Sequence, residues 1–285
     1  MNEHQTEQMI RELAEALKRM AKGPCCIALA GAHAKGSADS ASDLDFLLVL
    51  EQPAPYRDRL GVIDEIADSD GGRYMSKDFD EAPYGGSIDF RYRGIPIEVT
   101  VRTFERLSKR VEECLAGTFE IIPQAWTSNG YYTFIYLSEL AFVKPLWDPD
   151  GILAAYQEKT RPYPEQLRRA IIDCFWSRAN TWLDNFHYDS AIARGDMLFA
   201  APIVLHTILD MIQVIFALNR VYFQGDKKLQ ENLAYMKYCP KALLKHLTFL
   251  LMASGDSNIL LKQRDLLREI RDELQIKFES EGDIT

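Results

Sequence analysis

The sequence has few cysteines and none in an arrangement typical of a metal site. Its five cysteines are odd in number and scattered, and no two form a Cys-x-x-Cys pair. This pattern argues against a zinc site and against a disulfide framework. The N-terminus is polar and lacks the basic and apolar regions of a secretory signal peptide. We therefore predict a cytoplasmic protein.

The sequence also lacks an uninterrupted hydrophobic run of membrane-spanning length. The longest apolar stretch, residues 197–218, is interrupted by Pro202, His206, Asp210 and Gln213. A carboxylate near the middle of a span would be costly in lipid. We predict a buried core helix here and no membrane partner.

Positive charge is scarce in the first half of the chain. Residues 1–150 carry 16 Lys and Arg against 25 Asp and Glu, whereas residues 151–285 carry 17 of each. The whole net charge of −9 therefore lies in the first half. A long nucleic acid would require a basic track, so this partner is disfavoured. An acidic half suits a metal ion, and also a cationic small molecule.

Two kinds of pattern divide the 285 residues, which are enough for two domains. Apolar spacing predicts an α+β first half, with helices over residues 7–21, 37–42, 56–67 and 103–115, strands over 25–30 and 44–50, and a hairpin of 87–92 with 95–101. Residues 70–86 form either a mobile flap or an ordinary surface loop. From Ser128 onward only helices are predicted, over residues 130–142, 152–159, 164–185, 191–222, 227–238, 240–252 and 258–278. We place the domain boundary between residues 145 and 146, giving domains 1–145 and 146–285.

Acidic residues begin one predicted strand and recur on another. Asp43 and Asp45 are two residues apart, so on a strand they project to one side, with Cα atoms roughly 6.5–7 Å apart. Glu98 shares a strand face with Pro96 and Thr100. Carboxylate oxygens suit Mg²⁺, and two ions could activate an attacking oxygen and neutralise a leaving pyrophosphate. Each residue taken alone also fits a solvated turn or an exposed strand position; their order in the chain favours a metal site.

Glycines precede this acidic pair. Without Cβ atoms, Gly31 and Gly36 allow backbone amides to approach phosphate oxygens, and a helix beginning near Ser37 would add its N-terminal dipole. Glycine is also needed for the geometry of an ordinary strand-to-helix turn, so these residues alone do not identify a phosphate site.

Taken together, these residues resemble a known signature. The segment Gly31-Ala32-x-Ala34-x-Gly36-x-Ala38-Asp39-x-x-Ser42-Asp43-x-Asp45 is similar to the motif G-S-x-A-x-G-x-A-x-x-x-S-D-x-D of the nucleotidyltransferase superfamily related to DNA polymerase beta. The helical second half resembles the C-terminal domain of the antibiotic-modifying branch, which acts on kanamycin, streptomycin and lincosamides. The resemblance implies a palm-like mixed sheet with flanking helices, followed by a helical bundle.

The same resemblance implies a reaction. A nucleoside monophosphate would pass from an NTP, usually ATP, to a hydroxyl of a small acceptor, with Mg²⁺ held by Asp43, Asp45 and Glu98. The Gly31–Gly36 loop and Ser42 would hold the triphosphate, and a homodimer is plausible.

A second resemblance lies in the helical half. The segment from Asn219 to Leu229 is similar to an N-x-x-Y/F-x-x-x-x-K segment that reaches the nucleotide in such enzymes. Lys227, or Lys228 as the alternative, would contact phosphate. An ammonium group there offsets the negative phosphate charge that the metal leaves uncompensated. A solvated loop after a helix is the other interpretation of these lysines.

The motif departs from the family at one position. Ala32 stands where the family has serine, so a hydroxyl that meets the triphosphate is missing. Backbone amides would do most of that work, with His33, Lys35 or Ser37 as compensating residues.

The sequence leaves the general base and the acceptor open. Glu98 can serve both metal and acceptor, and Asp196 is the next candidate, although it also fits a helix N-cap. Our first hypothesis is transfer to a small-molecule acceptor, with aminoglycosides and lincosamides as the candidates. The alternatives are transfer to a protein or an RNA end, as in toxin-like relatives, and a nucleotide-binding module without catalysis.

Overall fold

The chain forms two compact units in the computed structural model, which describes residues 3–39, 42–80 and 82–281. The first unit comprises Met1–Leu115, Phe119–Gln124 and Gly130–Pro162. The second comprises Ala116–Thr118, Ala125–Asn129 and Tyr163–Thr285.

The first unit is a mixed sheet with flanking helices, which confirms the predicted α+β class. Its helices are α1 (Glu3–Lys18), α2 (Gly31–Lys35), α3 (Tyr56–Ile66), α4 (Phe104–Leu115), α5 (Ile135–Phe142) and α6 (Ile152–Lys159). Its strands are β1 (Ala21–Leu29), β2 (Leu44–Pro53), β3 (Tyr74–Met75), β4 (Gly86–Tyr92), β5 (Ile95–Thr103), β6 (Ile121–Ile122), β7 (Tyr131–Tyr132) and β8 (Lys144–Trp147).

Six of these strands form one sheet in the order β3-β4-β5-β2-β1-β8. The pairing of β2 with β5 is parallel, whereas the other pairs in this sheet are antiparallel. The strand β2 is central and nearly continuously apolar, as expected for a strand covered on both faces. Apolar residues of α1 and α3, among them Leu13, Leu17 and Val62, share one core cluster with β1, β2, β4 and β5.

The predicted hairpin is confirmed as β4 and β5. On β5, Ile97, Val99 and Val101 are buried, whereas Glu98 is exposed and Thr100 partly exposed, which is the predicted alternation. Thr103 caps the helix that follows β5, because its Oγ1 accepts a hydrogen bond from the backbone N–H of Arg106 at 3.2 Å.

Two predictions near the start of the chain were wrong. The first helix ends at Lys18 rather than at residue 21, and Ala21, Gly23 and Pro24 lie within β1. A shift in register between Lys22 and Cys25 accommodates them, as is usual for Gly and Pro at bulges. The short helix predicted over residues 37–42 is replaced by α2, which begins at Gly31; residues 37–39 and 42 are not helical, and residues 40–41 lie outside the described residues.

The expectation that strands cease at Ser128 was also wrong. Tyr131–Tyr132 pair with β6, so the helix predicted from residue 130 begins only at Ile135. Lys144–Trp147 pair with β1 at the edge of the large sheet. An exposed edge strand tolerates Pro145 and carries little apolar periodicity, which is why its sequence resembled a linker. The boundary that we placed between residues 145 and 146 falls inside this strand.

The second unit is helical. Its helices are α7 (Glu165–Asn180), α8 (Phe186–Arg194), α9 (Met197–Leu218), α10 (Leu229–Ala234), α11 (Lys241–Leu250) and α12 (Ser257–Glu281). The helix predicted over residues 191–222 is divided, because Gly195 ends α8 in a left-handed conformation and Asp196 caps α9.

The helix α9 is the predicted core helix. Within the described residues, it is the helix long and apolar enough to cross a membrane by length and composition, and 67% of its most apolar window is buried inside the protein. Burial of this kind is typical of a core helix.

Candidate active site

Three carboxylates converge at one end of the parallel pair in the first unit. Asp43 lies immediately before β2, Asp45 lies within it, and Glu98 lies on β5. The register of the parallel pair places Asp45 opposite Glu98. One ligand atom from each of the three residues lies within 4.8 Å of the others. The structure thus brings together the three predicted metal ligands.

The donor set of this cluster fits a hard divalent cation. All three residues offer carboxylate oxygens, the ligands that Mg²⁺ and Mn²⁺ prefer. Asp43 and Asp45 are partly buried, whereas Glu98 is exposed. A cation would therefore be held from the protein side by the two aspartates and would keep an accessible side near Glu98.

Gly31 brings the backbone against this cluster. The N–H of Ala30 donates to the Asp45 carbonyl oxygen at 2.8 Å, and α2 begins at the next residue. Gly31 has a left-handed φ of +57°, and a Cβ placed there would lie 1.6 Å from Asp45 Oδ2. Position 31 therefore requires glycine both for its backbone conformation and for the space occupied by the Asp45 side chain.

Gly36 has a different local role. It ends α2 with φ of +74°, and its N–H donates to the carbonyl of Ala32. A Cβ there would meet nothing within 4 Å, so the constraint is conformational rather than steric. Ala32 thus contributes its carbonyl to the helix end.

Ser42 lies two residues before β2 and bonds to Asp39. Its Oγ accepts a hydrogen bond from the Asp39 N–H at 2.9 Å and donates to Asp39 Oδ1 at 3.1 Å. This hydroxyl, which the resemblance assigns to the triphosphate, already stabilises the segment that leads to Asp43.

Lys35 lies near the carboxylates. Desolvation lowers the pKa of its ammonium group, and the negative charges of Asp45 and Glu139 oppose that shift. Its Nζ also lies 5.6 Å from the centre of the Phe142 ring. The first unit therefore supplies a cation of its own beside the acidic cluster.

The remaining predicted site residues belong to the second unit. The Asp196 carboxylate accepts a hydrogen bond from the Phe199 N–H at 3.3 Å as the N-cap of α9, which is the structural alternative considered for it. Lys227 and Lys228 are exposed and directly precede α10. Asn219, the first residue of the segment that resembles a nucleotide contact, bonds to the backbone N–H and carbonyl of Tyr238.

A cleft beside the carboxylates contains residues that sequence reasoning missed. Its volume is about 430 Å³, and its walls include Asp43 and Glu98 together with Arg73, Tyr74, Asp89 and Arg91. Asp89 on β4 is the direct cross-strand partner of Glu98, and its Oδ1 accepts a hydrogen bond from Ser87 Oγ at 2.7 Å. Counting the hairpin register outward from Arg93-Gly94 would have placed Asp89 beside Glu98.

Residues 70–86, the candidate flap, make hydrogen bonds to the rest of the first unit through the second half of the loop. Three arginines donate to its main-chain carbonyls: Arg59 to those of Ser76 and Lys77, Arg102 to that of Tyr84, and Arg106 to those of Asp80 and Ala82. Phe79 is buried beneath Gly86, where a Cβ would lie 2.2 Å from its ring. Residue 81 lies outside the described residues. These contacts favour the ordinary-loop interpretation for residues 76–84.

Arg102 is the most deeply buried of these arginines. Desolvation would lower the pKa of its guanidinium group, but Glu139, at 2.5 Å, and the nearby Tyr136 and Tyr131 raise the pKa overall. The Arg102 guanidinium also lies 3.7 Å from the centre of the Tyr136 ring. It remains charged and anchors the loop carbonyl of Tyr84 to β5.

Comparison with known proteins gives limited information. A family model described as "Domain of unknown function (DUF4037)" matches residues 136–229. A search of curated proteins gives no match. The chain is similar to a crystal structure of a nucleotidyltransferase-like protein from Exiguobacterium sibiricum 255-15, with 10% identity and a TM-score of 0.47 over 97% of this chain and 77% of that chain. Similarity of this degree transfers no activity or substrate.

Proposed function

We propose that the first unit catalyses Mg²⁺-dependent transfer of a nucleoside monophosphate, with ATP as the favoured donor, to a hydroxyl of a small molecule. The observation that carries this proposal is the convergence of Asp43, Asp45 and Glu98 within 4.8 Å, directly beside Gly31. The motif of residues 31–45, which resembles that of nucleotidyltransferases, supports the same chemistry.

The carboxylates have distinct tasks in this proposal. Asp43 and Asp45 would hold the metal together with Glu98, and the metal supplies charge neutralisation to the phosphates when bound. Glu98 is the most accessible of the three and also lines the cleft, so it is the best placed to meet an acceptor hydroxyl and take its proton. The capping bond of Asp196 favours Glu98 over Asp196 as the base.

The triphosphate would lie along α2. The first N–H groups of a helix have no partner within the helix, and α2 begins where Gly31 meets Asp45. Lys35 supplies positive charge from the same element, which supports it as a replacement for the motif serine that Ala32 lacks.

The cleft supports a small acceptor. Its volume of about 430 Å³ lies within the usual range for small-molecule sites. The three carboxylates of the cleft, Asp43, Asp89 and Glu98, outnumber its two guanidinium groups, those of Arg73 and Arg91. This balance, with the half-exposed ring of Tyr74, favours an acceptor that carries hydroxyl and amino groups. Aminoglycosides and lincosamides are the first such compounds to test.

A product screen tests this function. Purified protein with Mg²⁺ and each of the four common NTPs is incubated with hydroxylated amines, and pyrophosphate release and product mass are both recorded. We expect one acceptor to gain the mass of a nucleoside monophosphate, and Asp43→Asn to release no pyrophosphate while retaining its circular dichroism spectrum. Mass added to a protein or RNA end instead would support the toxin-like alternative. Nucleotide binding without pyrophosphate release for any acceptor would contradict catalysis.

A further inference from the structure

The second unit contains a cavity that the proposed transfer reaction does not use. Its volume is about 580 Å³, within the range of small-molecule sites. Apolar residues from α9 and from the end of α11 dominate its walls: Met197, Leu198, Val204, Leu205, Leu251 and Met252. None of its described lining residues is charged. Such walls would disfavour a charged ligand.

One wall of this cavity is held in place before any ligand binds. Gln263 is buried, and its Nε2 lies at 2.9, 3.1 and 2.7 Å from the carbonyl oxygens of Phe249, Leu250 and Met252. These contacts fix the segment that ends α11. A preformed wall reduces the ordering cost of binding.

His206 is one of the polar residues that line the cavity, with Ser128, Ser254 and Gln263. Its Nδ1 lies 3.0 Å from Asn129 Oδ1. Asn129 is in turn fixed, because its Nδ2 donates to Asp210 Oδ1 at 2.7 Å and its Oδ1 accepts from an Arg178 Nη at 3.1 Å. Arg178 also pairs directly with the buried Asp210 at 3.1 Å.

This network determines which nitrogen of the neutral His206 ring carries the hydrogen. A guanidinium group only donates hydrogen bonds, so the Asn129 amide must present its oxygen to Arg178. The same oxygen faces His206, so Nδ1 must carry the hydrogen. In the neutral ring, Nε2 is then a hydrogen-bond acceptor, and no described residue bonds to it.

We propose that this cavity binds a neutral small molecule with an apolar body and a hydroxyl or amide N–H group that donates to His206 Nε2. The apolar walls bind the body, and the oriented imidazole selects the donor. The cavity shares no residue with the carboxylate cluster, so a test of this binding proposal does not depend on whether the protein catalyses nucleotidyl transfer.

Fluorescence of N-phenyl-1-naphthylamine, a neutral apolar probe, tests the cavity in the full-length protein. We expect the probe to bind the wild-type protein, and Leu205→Lys, which places a charge on an already exposed wall position, to weaken binding at least about tenfold. Tyr235→Ala, at an exposed site of the same unit outside the cavity, is the matched control and should bind as the wild type does. Equal binding by Leu205→Lys and the wild type would overturn the proposal.

Displacement of the same probe tests the role of His206. In the wild-type protein, 1-octanol should displace the probe about fivefold more effectively than methyl octyl ether, which has no donor. His206→Phe should keep probe binding and lose this preference, whereas His206→Gln, which offers an amide oxygen, should retain part of it. Equal displacement by the two competitors in the wild-type protein would overturn the assignment of Nε2.

Discussion

The absence of a Cβ atom at position 31 lets the backbone between β1 and α2 reach the Asp45 carboxylate. The ideal Cβ position there is 1.6 Å from Asp45 Oδ2, a separation that no side chain could tolerate without displacing Asp45. Gly36, five residues later, has a similar left-handed backbone but open space around it. These two glycines therefore separate the effect of the backbone conformation from the effect of crowding the cluster.

We predict that Gly31→Ala disrupts metal binding whereas Gly36→Ala does not. Both changes place alanine in a left-handed conformation, which costs about 1–2 kcal/mol of folding stability. Only Gly31→Ala also pushes against Asp45. Urea unfolding should show a larger loss for Gly31→Ala, and a Mn²⁺ titration should show weaker binding for that variant alone. Equal effects of the two variants would mean that the contact with Asp45 has no consequence.

Residue patterns predicted part of the site. Asp43, Asp45 and Glu98 could be placed together from strand alternation and order in the chain, because side chains two apart share a strand face. Asp89 was missed because it becomes a neighbour of Glu98 only through the antiparallel register of β4 with β5. The cap formed by Asp196 was recognisable as an alternative, but local sequence does not distinguish a cap from a catalytic acid.

The helix α4 holds the loop of residues 76–84 through the side chain of Arg106. Arg106 in its first turn bonds to Tyr136 Oη at 3.0 Å, to the carbonyl and carboxylate of Asp80, and to the carbonyl of Ala82. Arg110, one turn further along, pairs with the carboxylates of Glu113 and Glu120. The two arginines have the same side-chain exposure, 18%, so they form a matched pair.

Replacing Arg106 should release the loop. We predict that Arg106→Met raises amide hydrogen exchange in residues 78–80 and 82–84 at least about tenfold, because several hydrogen bonds of about 1 kcal/mol each are lost. Arg110→Met should leave exchange in these residues unchanged. If Arg106→Met exchanges there as the wild type does, the arginine contacts do not hold the loop.

Element types were predictable where the apolar period was long and regular, as in α1, β2 and the β4–β5 hairpin. Element types were not predictable where a strand forms because it pairs with a neighbouring strand and its own sequence has no apolar period. Lys144–Trp147 is exposed along its length, so its strand conformation depends on β1 as a partner. The helix α2 has five residues and no side-chain cap at its N-terminus, and Ala34 joins it to the core, so local sequence signals do not mark where it begins.

In the whole molecule, the carboxylate cluster lies in the part of the chain that carries the net negative charge. The first unit holds the carboxylate cluster and most of the half that carries the net charge of −9, and the second unit is a set of helices around the buried α9. Apolar spacing predicts a half with strands and a helical half, because strand patterns and helical patterns differ in period. In the structure, β8 and α6 belong to the first unit, and the second unit resumes at Tyr163.

The central claim is that Asp43, Asp45 and Glu98 form a divalent metal site, and a Mn²⁺ titration followed by electron paramagnetic resonance tests it most directly. The wild-type protein should bind Mn²⁺, and Asp45→Asn should weaken that binding at least about tenfold, since loss of even an orienting partner of a ligand commonly costs 10–100-fold. Glu51→Gln, which removes an exposed carboxylate from the far end of the same strand, is the control and should bind Mn²⁺ as the wild type does. Failure of the wild-type protein to bind Mn²⁺ at millimolar concentration, or equal binding by Asp45→Asn, would contradict the metal site.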